Sequence, residues 1–253
     1  MSLWTGALVL IALFAGVGIT TVGPGGVFVT AALYGFTDLS SAAVAGTASA
    51  TFVATGLVGS AAYIRSGELE TGPAQETALI LSGAGVAGAL LGTRLNLLIG
   101  KQLFGELLAA FLIGVALLLV YRETTGLRPG RIREGAPRWR WGLLTAVGGS
   151  VGTVGGLLGV GGPVVAVPAL VALGMPMLQA VAVAQVQSIF LSLFAAIGYW
   201  SVGAVDLSLA VIVGVPQLIG VVAGWRLAHQ VSEGGLRLAL AVVLLGIGAA
   251  IIL

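Results

Sequence analysis

The sequence predicts an all-α, polytopic membrane protein of two repeats, each of about four helical segments, with the first segment of each repeat broken or re-entrant. Three observations carry this. Apolar residues make up 58% of the chain and charged residues only 8%, with a mean hydropathy of +1.12. The apolar residues gather into long runs on either side of a basic stretch. A glycine-rich interruption occurs twice, as Gly23-Pro24-Gly25-Gly26-Val27 and as Gly159-Val160-Gly161-Gly162-Pro163, deep in the first run of each half.

Composition excludes most alternatives. A soluble chain of this size carries about a quarter charged residues, so this one has too few to cover its surface in water. The 41 glycines suit a membrane bundle, where small residues let helices approach closely. With no cysteine there is no disulfide, thiol nucleophile or thiolate metal site. The net charge of +2 comes largely from one loop, and it reports membrane orientation rather than nucleic-acid binding. The N-terminus lacks a basic region before its apolar run, so it reads as a first helix rather than a removed signal peptide.

The runs, in order, are 3–22 with a continuation to 36, then 40–64, 74–95 and 102–121. After the basic stretch they resume at 141–158 with a continuation to 173, then 177–200, 207–227 and 235–253. Each is continuous rather than alternating and of bilayer-spanning length, about 20 residues, which excludes barrel strands. The halves correspond beyond their breaks. Tyr63-x-x-x-Gly67 matches Tyr199-x-x-x-Gly203, and Gly88-x-x-x-Gly92-x-Arg94-Leu95 matches Gly220-x-x-x-Gly224-x-Arg226-Leu227. The expected organisation is therefore a first repeat over 1–121, a linker over 122–140 and a second repeat over 141–253. The paired glycines read first as close-packing elements.

The linker holds Arg122, Arg128, Arg131, Arg133, Arg138 and Arg140 against Glu123 and Glu134, which places it in the cytoplasm by the positive-inside rule. Two topologies remain open. Broken segments that cross fully give parallel repeats with both termini inside. Re-entrant hairpins give inverted repeats with both termini outside, and put Arg65, the linker and Arg226 inside. The charge rule favours the inverted arrangement.

The breaks are the best candidates for a site. Glycine and proline end helices, and unpaired backbone groups in hydrocarbon survive only where they line a cavity or bind something. Matching interruptions in two halves mark a transporter's substrate site. A helix that begins after Gly26, at Val27, or at Pro163 presents unpaired N–H groups and a positive dipole end, an anion site that needs no charged side chain. Gly23, Gly25, Gly26, Gly159, Gly161 and Gly162 allow the ligand close to the backbone. The plain alternative is a kink with close packing.

The helix after each break supplies polar groups: Thr47, Ser49, Thr51 and Thr55 in the first half, Gln185, Gln187, Ser188 and Ser192 in the second. Hydroxyls in membrane helices commonly bond their own backbone. Buried glutamines cost more, and two placed two residues apart cannot share one helix face. Arg94 and Arg226, near helix ends, read as snorkelling side chains, with substrate gating as the alternative. Glu106 is the one carboxylate placed for coupling, unless it pairs with Arg94 or Lys101. His229 reads as a solvated loop residue, and Asp38 and Asp206 as helix caps. No enzyme chemistry, metal set or cofactor fingerprint is present in the sequence.

The segment Gly155-Gly156-Leu157-Leu158-Gly159-Val160-Gly161-Gly162-Pro163-Val164-Val165-Ala166-Val167-Pro168 resembles the glycine-rich signature, ending in Val-Pro, of the TauE/SafE family of sulfite exporters. The duplicated Gly-x-x-x-Gly-x-Arg-Leu elements agree with it. The first half departs from the pattern, with Pro24 in the glycine run and Ala32 where the second copy has Pro168. The resemblance implies export of sulfite or an organosulfonate such as sulfoacetate across the cell (cytoplasmic) membrane, with no cofactor and no nucleic-acid partner. An anion channel, an importer and a non-transporting membrane subunit are the rival expectations. The oligomeric state is not legible.

Overall fold

In the computed structural model, residues 3–125, 137–230 and six positions between 242 and 251 are described. The expectations for most of the linker and for the run 235–253 fall largely outside these residues. The described chain is helical throughout, with α1 (Leu3–Thr21), a 3-10 turn (Pro24–Gly26), α2 (Val27–Phe36), α3 (Ser41–Arg65), α4 (Gly72–Asn96) and α5 (Lys101–Thr125) in the first half. The second half has α6 (Pro137–Leu158), α7 (Pro163–Ala172), α8 (Met177–Trp200) and α9 (Leu207–Ala228). Seven of these helices are long and apolar enough to span a bilayer, and the two halves of the broken segments that follow each interruption are shorter.

The helix bounds follow from local chemistry. α3 starts where the Ser40 hydroxyl accepts from the Ala43 N–H at 3.2 Å, and α9 starts where Asp206 accepts from the Leu209 N–H at 2.9 Å. Each cap pairs one of the first-turn donors that a helix leaves orphaned. Asp206 is the expected cap, but Ser40 and not Asp38 caps α3. Gly67 and Gly203 take left-handed φ values of 90° and 70° just after α3 and α8, a conformation open to glycine at no steric cost.

Both broken segments double back. A Cβ on Gly25 would strike the Ala15 carbonyl oxygen and the Ile19 nitrogen, whereas ten residues of straight helix would separate these positions by about 15 Å. At the far end, the Trp4 and Phe36 rings lie 5.5 Å apart, so the start of α1 meets the end of α2. In the second half, the Trp141 indole donates to Glu76 at 2.6 Å and Arg140 donates to Thr77 at 3.2 Å. Gln179 donates to Thr71 at 3.1 Å. The starts of α6 and α8 thus sit together beside the start of α4.

The long helices pack through glycine. Gly16 and Gly220 bring α1 and α9 together, where a Cβ on either would collide with the other helix's backbone. Gly88, Gly92 and Gly152 do the same for α4 and α6. Both crossings are parallel, since Leu13, Gly16 and Thr20 meet Gly220 and Gly224 in rising order. By contrast α3 and α8, equivalent in sequence, run antiparallel: Gly46 lies on Tyr199 and Gly59 on Gln185. The matched Gly-x-x-x-Gly elements are packing surfaces, as the plain reading of them holds.

Candidate functional site at the paired breaks

Each break is a tight reversal built by glycine. α1 closes with the Val22 and Gly23 N–H groups both donating to the Gly18 carbonyl, at 3.1 and 3.0 Å. Gly23 then takes φ 104°, leading into the turn Pro24–Gly26. α6 closes with Gly159 N–H on the Gly155 carbonyl at 2.8 Å, and Gly159 and Gly161 take φ 62° and 78°. Pro163 opens α7, where its missing N–H is no loss.

The two breaks meet. Gly23 lies against the Pro163 carbonyl and the Val167 side chain, and Gly26 against the Val160 carbonyl. The Thr30 hydroxyl, one turn into α2, donates to the Gly159 carbonyl. Between them is only a narrow void, walled by Gly23 and Gly26 from the first break and by Val160, Gly161 and Pro163 from the second. Ile19, Phe52, Thr55, Val164 and Ser188 complete the wall. The void is too tight for a water molecule, and every residue of its wall is buried.

The electrostatics of this void come from backbone and hydroxyls, with no charged side chain in its wall. Ser188 accepts from the Gly162 N–H at a long 3.4 Å, a weak bond that a stronger acceptor would outcompete. α7 is ten residues long and aims its N-terminus here, so its orphan donors and dipole favour negative charge.

The other expected residues divide. Gly25 is spent on the reversal against α1, and Val27 is fully buried at the start of α2. The Thr47 hydroxyl accepts from the Asp206 N–H at 3.0 Å, and so serves the start of α9. Thr51 donates back to the Ala48 carbonyl at 2.8 Å, and Ser49 is buried away from the void's wall. Gln185 reaches the Ile19 carbonyl at 3.4 Å and packs on Gly59, beside the void. Gln187 points elsewhere, to the Leu81 carbonyl of α4 at 3.4 Å. Both glutamines leave their buried Oε1 without a partner among the described residues.

Arg94, Arg226 and Glu106 are exposed and form no part of this wall. Glu106 accepts from Gln102 at 3.0 Å, while Lys101 donates to the Thr37 carbonyl. His229 is not a free loop residue: it caps α9, with Nε2 on Glu68 at 2.9 Å and Nδ1 on the Trp225 carbonyl at 2.8 Å. Two residues were not singled out from sequence. Phe52 sits in the wall itself, and Gln217 of α9 is fully buried with neither side-chain polar atom partnered among the described residues. An amide in the middle of an apolar run was a signal for the second.

Spanning helices, small-residue crossings and two apposed interruptions define a multi-pass membrane protein. A family model described as "Sulfite exporter TauE/SafE" matches residues 7–251, nearly the whole chain. The chain belongs to the TauE/SafE family. Neither the curated proteins nor the solved structures compared with it give a match.

Proposed function

We propose that this protein is a secondary transporter that exports a small sulfur oxyanion, sulfite or an organosulfonate such as sulfoacetate, across the cytoplasmic membrane. The observation that carries the reading is the meeting of both breaks at one void, with the α7 N-terminus and Ser188 turned toward it. Family membership supports the class of cargo. In this reading residues 1–121 and 141–253 are inverted repeats, the linker is cytoplasmic and both termini are outside. The fold-back of α1–α2 and the antiparallel α3 and α8 support that topology. In this reading the breaks stand packed against one another, and rocking of the halves parts them toward either side.

Direction follows from the field across the membrane. An inside-negative potential favours an anion leaving by about 2.3 kcal/mol per charge per 100 mV. Export therefore needs no coupling ion, in keeping with a void that holds no carboxylate. Purified protein in liposomes should show saturable sulfite or sulfoacetate flux with counterflow. Ohmic single-channel currents would instead make it a channel. No flux of sulfite, sulfoacetate or thiosulfate would leave a non-transporting subunit.

A further inference from the structure

We propose that Phe52 is the specificity-determining residue of this void: its ring occupies, on the first half, the position that Ser188 holds on the second. The inference rests on the void being the anion site, and adds to it that only one of the two breaks is available to the anion.

The two repeats share one register from the breaks to the paired tyrosines. Gly23 to Val27 correspond to Gly159 to Pro163, and Tyr63 corresponds to Tyr199. In that register Gly26 is equivalent to Gly162, and Phe52 to Ser188. The contacts obey the same pairing. A Cβ on Gly26 would stand 3.0 Å from the Phe52 ring, and a Cβ on Gly162 would stand 3.3 Å from Ser188 Cα. The ring also reaches the other break. A Cβ on Gly161 would stand 3.4 Å from its other edge, so one aromatic side chain touches both breaks at once.

The consequence is a one-sided site. On the second half, the donor at Gly162 faces a hydroxyl that adds a further donor to an oxyanion. On the first half, Gly26 faces a ring that offers an oxyanion no hydrogen-bond donor. The ring is 2% exposed and forms part of the closed wall. Any anion that enters displaces it first, and the space it yields sets the size of anion admitted.

The protein has no cysteine, so a single Ser188→Cys reports access to the void without relying on transport. In purified protein, labelling by the small anionic reagent methanethiosulfonate ethylsulfonate should be slow. Adding Phe52→Ala should raise the rate about tenfold or more, in proportion to the population of the open form. Phe52→Leu, which keeps apolar bulk, should remain near the slow rate. Phe104→Ala, a buried ring in α5 outside the wall, should leave it slow. Thr55→Cys is a second reporter in the same wall should Ser188→Cys not fold. Equal rates with and without Phe52, or equal acceleration by Phe104→Ala, overturn the proposal. If Phe52→Ala opens the void but sulfite gives the cysteine no protection, Phe52 controls access alone, and the oxyanion assignment fails, taking the specificity role with it.

Discussion

The Tyr63 hydroxyl donates to the Thr20 carbonyl at 2.5 Å, three residues before the first break, and Tyr199 does the same to Gly156 at 2.6 Å, three before the second. Both carbonyls are in the last turn of a helix, where no intrahelical donor reaches them. The duplicated tyrosines thus stitch α3 to the end of α1 and α8 to the end of α6. Tyr63→Phe and Tyr199→Phe each leave a buried carbonyl unpaired, which costs about 1–3 kcal/mol. Thermal unfolding in detergent should show a lowered midpoint for both, of similar size. An unchanged midpoint would mean the bonds are not maintained in solution.

The glycine crossings make a second expectation. At Gly220 a side chain would drive into the Leu13 carbonyl, whereas Gly6 has open space around it. Gly220→Leu should cost more than the roughly 1–3 kcal/mol of ordinary overpacking, because backbone and not a flexible side chain is in the way. Gly6→Leu should be nearly neutral. Size-exclusion profiles and unfolding midpoints of the two variants compare them directly.

The pair of His229 and Glu68 ties the end of α9 to the loop after α3 and makes stability depend on pH. The Trp225 carbonyl above all, with the Glu68 carboxylate, raises the imidazole above its ordinary value against the opposing effect of burial; that ordinary value is about 6.5. A raised folded value means the stabilisation is fully present below the unfolded value and is lost as pH rises through the folded one. Against His229→Gln, the wild-type midpoint should therefore be higher at about pH 6 and should converge with it at alkaline pH. A gap that widens with pH would reverse the sign and refute the assignment.

How much of this was legible in the sequence differs by level. The helices were, because runs such as 177–200 and 207–227 match α8 and α9 almost to the residue. The place of the breaks was also legible, since Gly-Pro-Gly-Gly and Gly-Val-Gly-Gly-Pro admit no continuous helix. The faces of the helices were harder. Apolar residues surround each helix on all sides, so periodicity says little about which stripe turns inward. That is why Gln187, read as a ligand candidate beside Gln185, turns out to face α4. It is also why nothing in the sequence separates Phe52 from the other membrane phenylalanines. Thr47 was read as a site hydroxyl because nothing local shows that the start of α9 arrives beside it.

The central claim is that the apposed breaks form one oxyanion site, and binding of radiolabelled sulfite to the purified protein tests it most directly. Gly162→Val places a branched side chain against Leu191, the Ala184 carbonyl and Ser188, whereas Gly35→Val, in α2, meets nothing within 4 Å. Saturable binding by the wild type and by Gly35→Val, lost in a folded Gly162→Val, is the expected result. Sulfite bound equally well by all three would contradict the account.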